Sequence, residues 1–167
     1  SSVTGVQTCA LPISQGERSV PKTRESRQFY RHFEVIPTRW MDNDVYGHVN
    51  NVTYYSYFDT LISGYLIRAG KLDILNDRVI GVTPETFCQF RRSLTFPDVI
   101  DAGLAVERLG RTSVKYLVGL FKQGEEAPAA LGHFVHVFVE RDSMRPCPIP
   151  EKIRSALTPL VAECPED

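Results

Sequence analysis

Residues 42–70 read DNDVYGHVNNVTYYSYFDTLISGYLIRAG, a polar turn running into a long, mostly apolar stretch. Asp42 to Asn50 is rich in residues that favour turns. Asn50 or Asn51 makes a good N-cap, because an Asn side-chain oxygen can accept from the first free N–H groups of a helix. From Val52 to Ala69 the polar residues Thr53, Ser56, Thr60 and Ser63 recur at spacings of three and four, one narrow polar stripe on an otherwise apolar cylinder. The spacing predicts a helix enclosed by its domain. Tyr54, Tyr55, Phe58, Leu61, Ile62, Tyr65 and Leu66 supply its buried surface, and Gly70 is placed as its left-handed stop.

Upstream, FYRHFEVIPTRW from Phe29 to Trp40 has the composition of a strand, and Pro37 assigns it to a sheet edge or a bulge because proline cannot donate to a ladder. Downstream of Gly70 the period changes to that of extended chain. Four strands are expected, at about Arg78–Leu94, Val99–Leu109, Ser113–Lys122 and Ala129–Arg141, with Gly110-Arg111 and Gln123-Gly124 as tight connections. In the last strand Val135, Val137 and Val139 face one way and Phe134, His136 and Phe138 the other, so both faces are covered: one by the helix, the other by a partner. Pro146, Pro148 and Pro150 end the sheet, and Glu151–Val161 follows as a short helix with Pro159 near its end. The sum is an α+β chain with one strand, one central helix and four further antiparallel strands.

The 167 residues are 43% apolar and 23% charged, which describes one globular domain, placed at 29–161. With 19 Lys and Arg against 20 Asp and Glu there is no overall field for phosphate backbones, so nucleic acid is not an expected partner. No apolar run reaches the roughly 20 residues that cross a bilayer, and no membrane partner is expected. Cys9, Cys88, Cys147 and Cys164 contain no C-x-x-C pair; a metal site is not predicted, and a reducing, cytoplasmic setting fits. Val3–Ser14 lacks the basic run of an export signal and resembles the translated read-through of a sequencing-library adapter, so Ser1–Ser14 is expected to be non-native and dispensable. Residues 15–28 mix Gly, Ser, Pro and charges of both signs and are expected to form a flexible tail, and 162–167 is set apart as the C-terminal tail.

The densest cluster of polar functional groups is RWMDNDVYGHVNN, Arg39 to Asn51, between the first strand and the helix. A helix N-terminus presents unpaired N–H groups and a partial positive potential, which suits an oxygen gaining negative charge in acyl transfer. Asp42 and Asp44 supply carboxylates able to attack a carbonyl or take a proton from water. The same residues also serve as ordinary turn and capping groups, and spacing alone leaves both readings open.

The pattern D-x-D-x-x-G-H-V-N-N, Asp42 to Asn51, ahead of a Tyr-rich helix resembles the 4-hydroxybenzoyl-CoA thioesterase-like branch of the hotdog-fold acyl-CoA thioesterases, over about Phe29 to Leu160. SLTFPDVID, Ser93 to Asp101, is similar to that family's entry into its third strand, and FVERDSMRPCPIP, Phe138 to Pro150, resembles its usual ending. The resemblance implies a five-stranded antiparallel sheet wrapped around one long central helix, and hydrolysis of an acyl-CoA thioester without metal or organic cofactor. Members of the fold form homodimers, often paired into homotetramers, with sites at the subunit interface. Carried over by position, Asp44 is the catalytic carboxylate, Asp42 a supporting group, and the first-turn N–H at Asn51 polarises the thioester carbonyl. Plant acyl-carrier-protein thioesterases show a similar D-x-N-x-H-V-N-N, to which Asp44 and His48 correspond, while Tyr46 replaces the Asn. His48 either orients water or substrate or bonds to the turn. Tyr46, Gly47, Asn50, Tyr54, Arg111 and Ser113 are assigned to substrate binding.

Other polar residues carry less. His133 and His136 lie on opposite faces of one strand and cannot form a metal pair. Asp59 is read as anchoring the helix. Arg91, Arg92, Arg111, Arg141, Arg145, Lys152 and Arg154 can in principle meet coenzyme A phosphates, although surface cations mostly keep a chain dissolved. No G-x-S-x-G, P-loop or G-x-G-x-x-G is present, which argues against a serine hydrolase, an NTPase and a dinucleotide enzyme. Two alternatives stay open: a non-catalytic acyl-CoA-binding module, and an enoyl-CoA hydratase-like enzyme, whose D-x-N-P-x-H is not matched here.

Overall fold

The computed structural model describes residues 23–162, so the expectations for Ser1–Ser14, for 15–22, for 163–167 and for Cys9 and Cys164 fall outside the described residues. The elements are β1 (His32–Pro37), α1 (Asn51–Arg68), β2 (Val79–Phe90), β3 (Val99–Leu109), β4 (Ser113–Lys122), β5 (Pro128–Glu140) and α2 (Glu151–Leu157), with 3-10 turns at Arg27–Phe29, Trp40–Asp42 and Thr158–Leu160. Five strands form one antiparallel sheet in the order β1-β3-β4-β5-β2. The chain therefore leaves β1 at one edge and re-enters the sheet at the other, and α1 lies on the connection between them.

One face of the sheet carries the main core. Tyr54, Tyr57, Phe58, Leu61, Ile62 and Leu66 of α1 are buried there with Leu104, Tyr116, Phe134 and Phe138 from the strands and Ile153 and Leu157 from α2. The helix is less enclosed than its narrow polar stripe implied. Tyr57 is buried, Tyr55 and Tyr65 are only half-buried, and Val52 and Ile67 are exposed, so α1 packs one broad face and presents the other outward. Nor is it one long helix alone. It runs 18 residues, about 27 Å, and the seven-residue α2 packs beside the same core.

The opposite face is covered in part by the chain itself, where a partner was expected. Phe29 and Tyr30 lie over Ala105, Leu117, Phe121 and Leu131. The Tyr30 ring sits against Gly103 and Gly119; a Cβ at Gly119 would fall 2.5 Å from its hydroxyl oxygen, so only glycine admits the ring. Arg27 fastens the same segment, with an ion pair to Asp101 at 2.8 Å, a hydrogen bond to the Glu125 carbonyl and its guanidinium 4.8 Å from the Phe121 ring centre. Residues 23–28, expected as tail, are thus anchored on the sheet. Ala162 is likewise buried and donates its N–H to the Val106 carbonyl at 2.9 Å.

The first strand is shorter than Phe29–Trp40 because its ends are used otherwise: Phe29 closes a 3-10 turn, and Trp40–Asp42 forms another that bonds back to Arg39. Pro37 ends an edge strand, opposite Val99, where its missing N–H costs no central ladder bond. After α1 the left-handed residue is Lys71 (φ 53°), not Gly70. Gly70 is required for space, since a Cβ there would meet the Leu66 carbonyl oxygen at 2.7 Å and Ile153 Cδ1 at 2.8 Å. The last helix stops at Leu157 rather than Val161, and Pro159 sits in the 3-10 turn that follows. Among the described residues no helix is long and apolar enough to cross a membrane.

Candidate active site

Asn43 and Val49 bridge to each other and close a small loop between them. Within it the Asp44 N–H donates to the His48 carbonyl at 2.8 Å and the Gly47 N–H to the Asp44 carbonyl at 3.1 Å. Gly47 sits at φ 81°, a left-handed conformation that glycine adopts without steric cost. Leu94–Phe96, just past β2, holds the loop. The Val49 N–H donates to the Leu94 carbonyl at 2.8 Å, Thr95 Oγ1 to the Gly47 carbonyl at 2.7 Å, and the Phe96 N–H to Asn43 Oδ1 at 3.0 Å. Ser93–Asp101 thus matters to the site as the support of the acidic loop.

The two aspartates of this region have opposite surroundings. Asp42 is buried, accepting from the Arg39 N–H at 2.7 Å, from Arg39 Nε at 3.0 Å and from the Tyr57 hydroxyl at 2.7 Å. Burial works against its charge, but the Tyr57 and Arg39 bonds outweigh it and hold the carboxyl below its ordinary range. Asp42 is therefore spoken for. Asp44 is half-buried, and its Oδ1 accepts only from the Tyr46 N–H of its own turn, at 2.8 Å.

The start of α1 lies beside it. Asn50 is the N-cap, its Oδ1 accepting from the Val52 N–H at 3.0 Å. The Asn50 N–H goes to the Asp42 carbonyl and the Thr53 N–H to the Asn50 carbonyl. Between them the Asn51 N–H has no partner among the described residues, which leaves one donor free at the positive end of the helix. A cavity of about 390 Å³ opens here, and Asp44, His48, Asn51 and Tyr54 all line it. Tyr54 meets Phe90 edge-on, ring centres 5.0 Å apart, as an aromatic wall.

Four of the nine sequence-assigned positions thus meet in one cavity. Tyr46 and Gly47 are exposed on the loop without lining it, and Asn50 acts as the cap. Arg111 and Ser113 lie at the β3–β4 turn, the end of the strands remote from Leu94–Asp98, roughly 35 Å along β3. The chain by itself does not bring them to Asp44. Phe90, Arg91, Arg92 and Ser93 line the cavity but were not assigned to it; Arg91 and Arg92 stood only among seven surface cations, and nothing local in the sequence marks where a strand from the far edge ends. The remaining polar candidates are engaged elsewhere: His136 is buried beside the Tyr116 hydroxyl (3.4 Å), His133 pairs with Glu85 at 2.6 Å, and exposed Asp59 accepts from Ser63 one helical turn on. Among the described residues no three His, Cys, Asp or Glu side chains converge as a metal site.

An antiparallel sheet packed on a central helix, with an acidic loop at the helix N-terminus, is the architecture of the hotdog thioesterases. The chain belongs to the thioesterase-like superfamily, whose model matches residues 38–157. It is similar to the PA5185 protein of Pseudomonas aeruginosa strain PAO1, with 49% identity, a TM-score of 0.82, and 84% of this chain and 98% of that one covered. PA2801, a candidate thioesterase of Pseudomonas aeruginosa, is 27% identical at a TM-score of 0.71, covering 76% of this chain and 98% of its own. BH1999, a gentisyl-coenzyme A thioesterase, shares the fold at 24% identity and a TM-score of 0.67, with 76% and 100% covered. Comparison with curated proteins gave no match.

Proposed function

We propose that the protein hydrolyses acyl-coenzyme A thioesters to free acid and coenzyme A, with Asp44 as the working carboxylate. The observation that carries this reading is the meeting of the Asp44 carboxylate and the unpartnered Asn51 N–H on one cavity. The thioester carbonyl oxygen accepts from the Asn51 N–H, so the negative charge that develops on it meets a fixed donor and the helix dipole. Asp44 takes a proton from the attacking water, or attacks the carbonyl carbon itself and is then released by water. Either route breaks the carbon–sulfur bond, and the thiolate of coenzyme A leaves and is protonated. His48, on the same cavity, orients water or substrate, and Tyr54 with Phe90 bounds the acyl group. Water is the only co-reactant, and the reaction calls for no cofactor.

The working form is a homodimer or a pair of dimers in the cytoplasm. Support for a partner copy comes from the β2 edge, where Phe87 and Phe90 are exposed, and from Val135 and Val137, half-buried on the part of the outer face that Phe29 and Tyr30 leave open.

The test is release of free coenzyme A from a panel of acyl-CoAs by the parent and by Asp44→Asn. The amide keeps the size of the carboxylate but neither its basicity nor its nucleophilicity, so kcat should fall by roughly a hundredfold or more. A variant within a few-fold of an active parent overturns the role of Asp44. A parent that binds acyl-CoA without releasing thiol makes the protein a binding module.

A further inference from the structure

Residues 94–98 run alongside the acidic loop and bond to it at four points along its length. Where the loop begins, the Thr38 N–H donates to the Asp98 carbonyl at 3.1 Å, and where it ends, the Val49 N–H donates to the Leu94 carbonyl. Between these lie the bond from the Phe96 N–H to Asn43 Oδ1 and the one from Thr95 Oγ1 to the Gly47 carbonyl. On the supporting side three of the four use backbone groups. The fourth is the Thr95 hydroxyl, the one side chain of that segment that hydrogen-bonds to the loop among the described residues.

Its target is the tip of the loop. The Asp44 N–H goes to the His48 carbonyl, the Gly47 N–H to the Asp44 carbonyl and the Tyr46 N–H to Asp44 Oδ1, so the turn from Asp44 to His48 is closed on itself. Among the described residues, the Thr95 bond is the only hydrogen bond between residues 44–48 and the rest of the protein. Thr95 is itself firmly seated: its N–H donates to Asp98 Oδ2 at 3.0 Å, and Asp98 Oδ1 pairs with Lys122 of β4 at 3.0 Å. Asn43 Nδ2 donates to Thr95 Oγ1 at 3.4 Å, which commits the single hydroxyl proton to Gly47.

We infer that Thr95 is a positioning residue for the reaction: its hydroxyl anchors the Asp44–His48 turn, so that the Asp44 carboxylate keeps a fixed aim on a carbonyl held at the Asn51 N–H. The inference rests on the hydrolase reading above for the reaction served, while the hold on the turn is measurable without turnover. A reacting group misplaced by about 1 Å can lose roughly a hundredfold in rate. The effect therefore belongs in kcat.

Three variants of the full chain test it. Thr95→Val keeps size and branching without the donor, Thr95→Ser keeps the donor, and Thr158→Val removes a comparable bond, Thr158 Oγ1 to the Arg154 carbonyl at 2.8 Å, off the cavity. In Thr95→Val the amide hydrogens of Asp44 and Gly47 should exchange roughly three- to tenfold faster than in the parent, as loss of one such bond implies, with Val49 and Asn50 unchanged. On an acyl-CoA that the parent cleaves, kcat should fall roughly tenfold or more with KM within about twofold. Thr95→Ser should restore both readouts, and Thr158→Val should match the parent in both. Both valine variants should melt within about 5 °C of the parent, so turnover lost in one alone is not unfolding. Equal exchange at Asp44 and Gly47 in parent and Thr95→Val overturns the inference whatever the hydrolysis does. So does faster exchange with kcat held, a loss that falls on KM, or a Thr95→Ser variant as slow as Thr95→Val. A parent that releases no thiol, yet loosens at Asp44 when the hydroxyl is removed, upholds the hold of Thr95 on the turn and defeats the hydrolase reading instead.

Discussion

Asp42 receives hydrogen bonds from Arg39 and Tyr57 in the interior, and Asp44 receives one from its own turn at the edge of a cavity. Asn at position 42 keeps an acceptor for Tyr57 but loses the charge facing the Arg39 guanidinium, so Asp42→Asn should cost about 2–3 kcal/mol and lower Tm by roughly 5–10 °C. Below its melting range that variant should keep most of its turnover, whereas Asp44→Asn should lose turnover and keep its Tm within about 2 °C. Thermal melts and initial rates on both proteins separate the roles. The depressed Asp42 carboxyl also fixes a sign in pH: its contribution is complete above the unfolded carboxylate value near pH 4 and is lost as pH falls through the lower folded value. Asp42→Asn should therefore flatten the stability loss below about pH 4, read by denaturant titration in acid.

At the scale of elements, β5 carries a different titration. Burial pushes the His136 imidazole down to about 4, with Asp59 opposing weakly, among the rings of Tyr116, Phe134 and Phe138. The unfolded chain binds that proton below about pH 6.5 and the folded chain does not until about pH 4. Stability should thus fall by up to about 1.4 kcal/mol per pH unit between those values, on the order of 3 kcal/mol in all, and His136→Gln should remove that slope from urea midpoints at pH 4.5–7.5. The segment before β1 makes its own prediction. Tyr30 fills the slot above Gly103 and Gly119, and Tyr30→Ala should cost about 3 kcal/mol, seen as a lower urea midpoint, because backbone glycines cannot collapse into the void.

At the scale of the whole molecule, a single chain leaves β2 as an unpaired edge 12 residues long and part of the outer face half-covered. Long exposed edges invite pairing with another chain. Light scattering at micromolar concentration should give at least twice the 18.9 kDa chain mass. A stable monomer with full activity would exclude a partner copy from the working site. Arg111 and Ser113, remote from Asp44 within one chain, would then have no route to the substrate.

The order of elements, the N-cap of α1, the edge position of β1 and the acidic turn at Asp44 were legible in the sequence, because each depends on local chemistry: side-chain period, capping oxygens, the missing proline N–H, and Asx and glycine turns. Local chemistry also left Asp42 and Asp44 nearly equivalent, two carboxylates on one turn. Only the packed structure separated them, by bringing Tyr57 from α1 onto Asp42, whose other partner, Arg39, is local to the same turn. The same holds for Phe90, Arg91 and Arg92, which reach the cavity because β2 pairs with β5 and ends at Ala129. The cover of the outer face by Phe29 and Tyr30 likewise depends on glycines some 70 and 90 residues away. Contacts between segments so far apart leave no period in the chain, and they decided which polar groups are occupied and which are left open on the cavity.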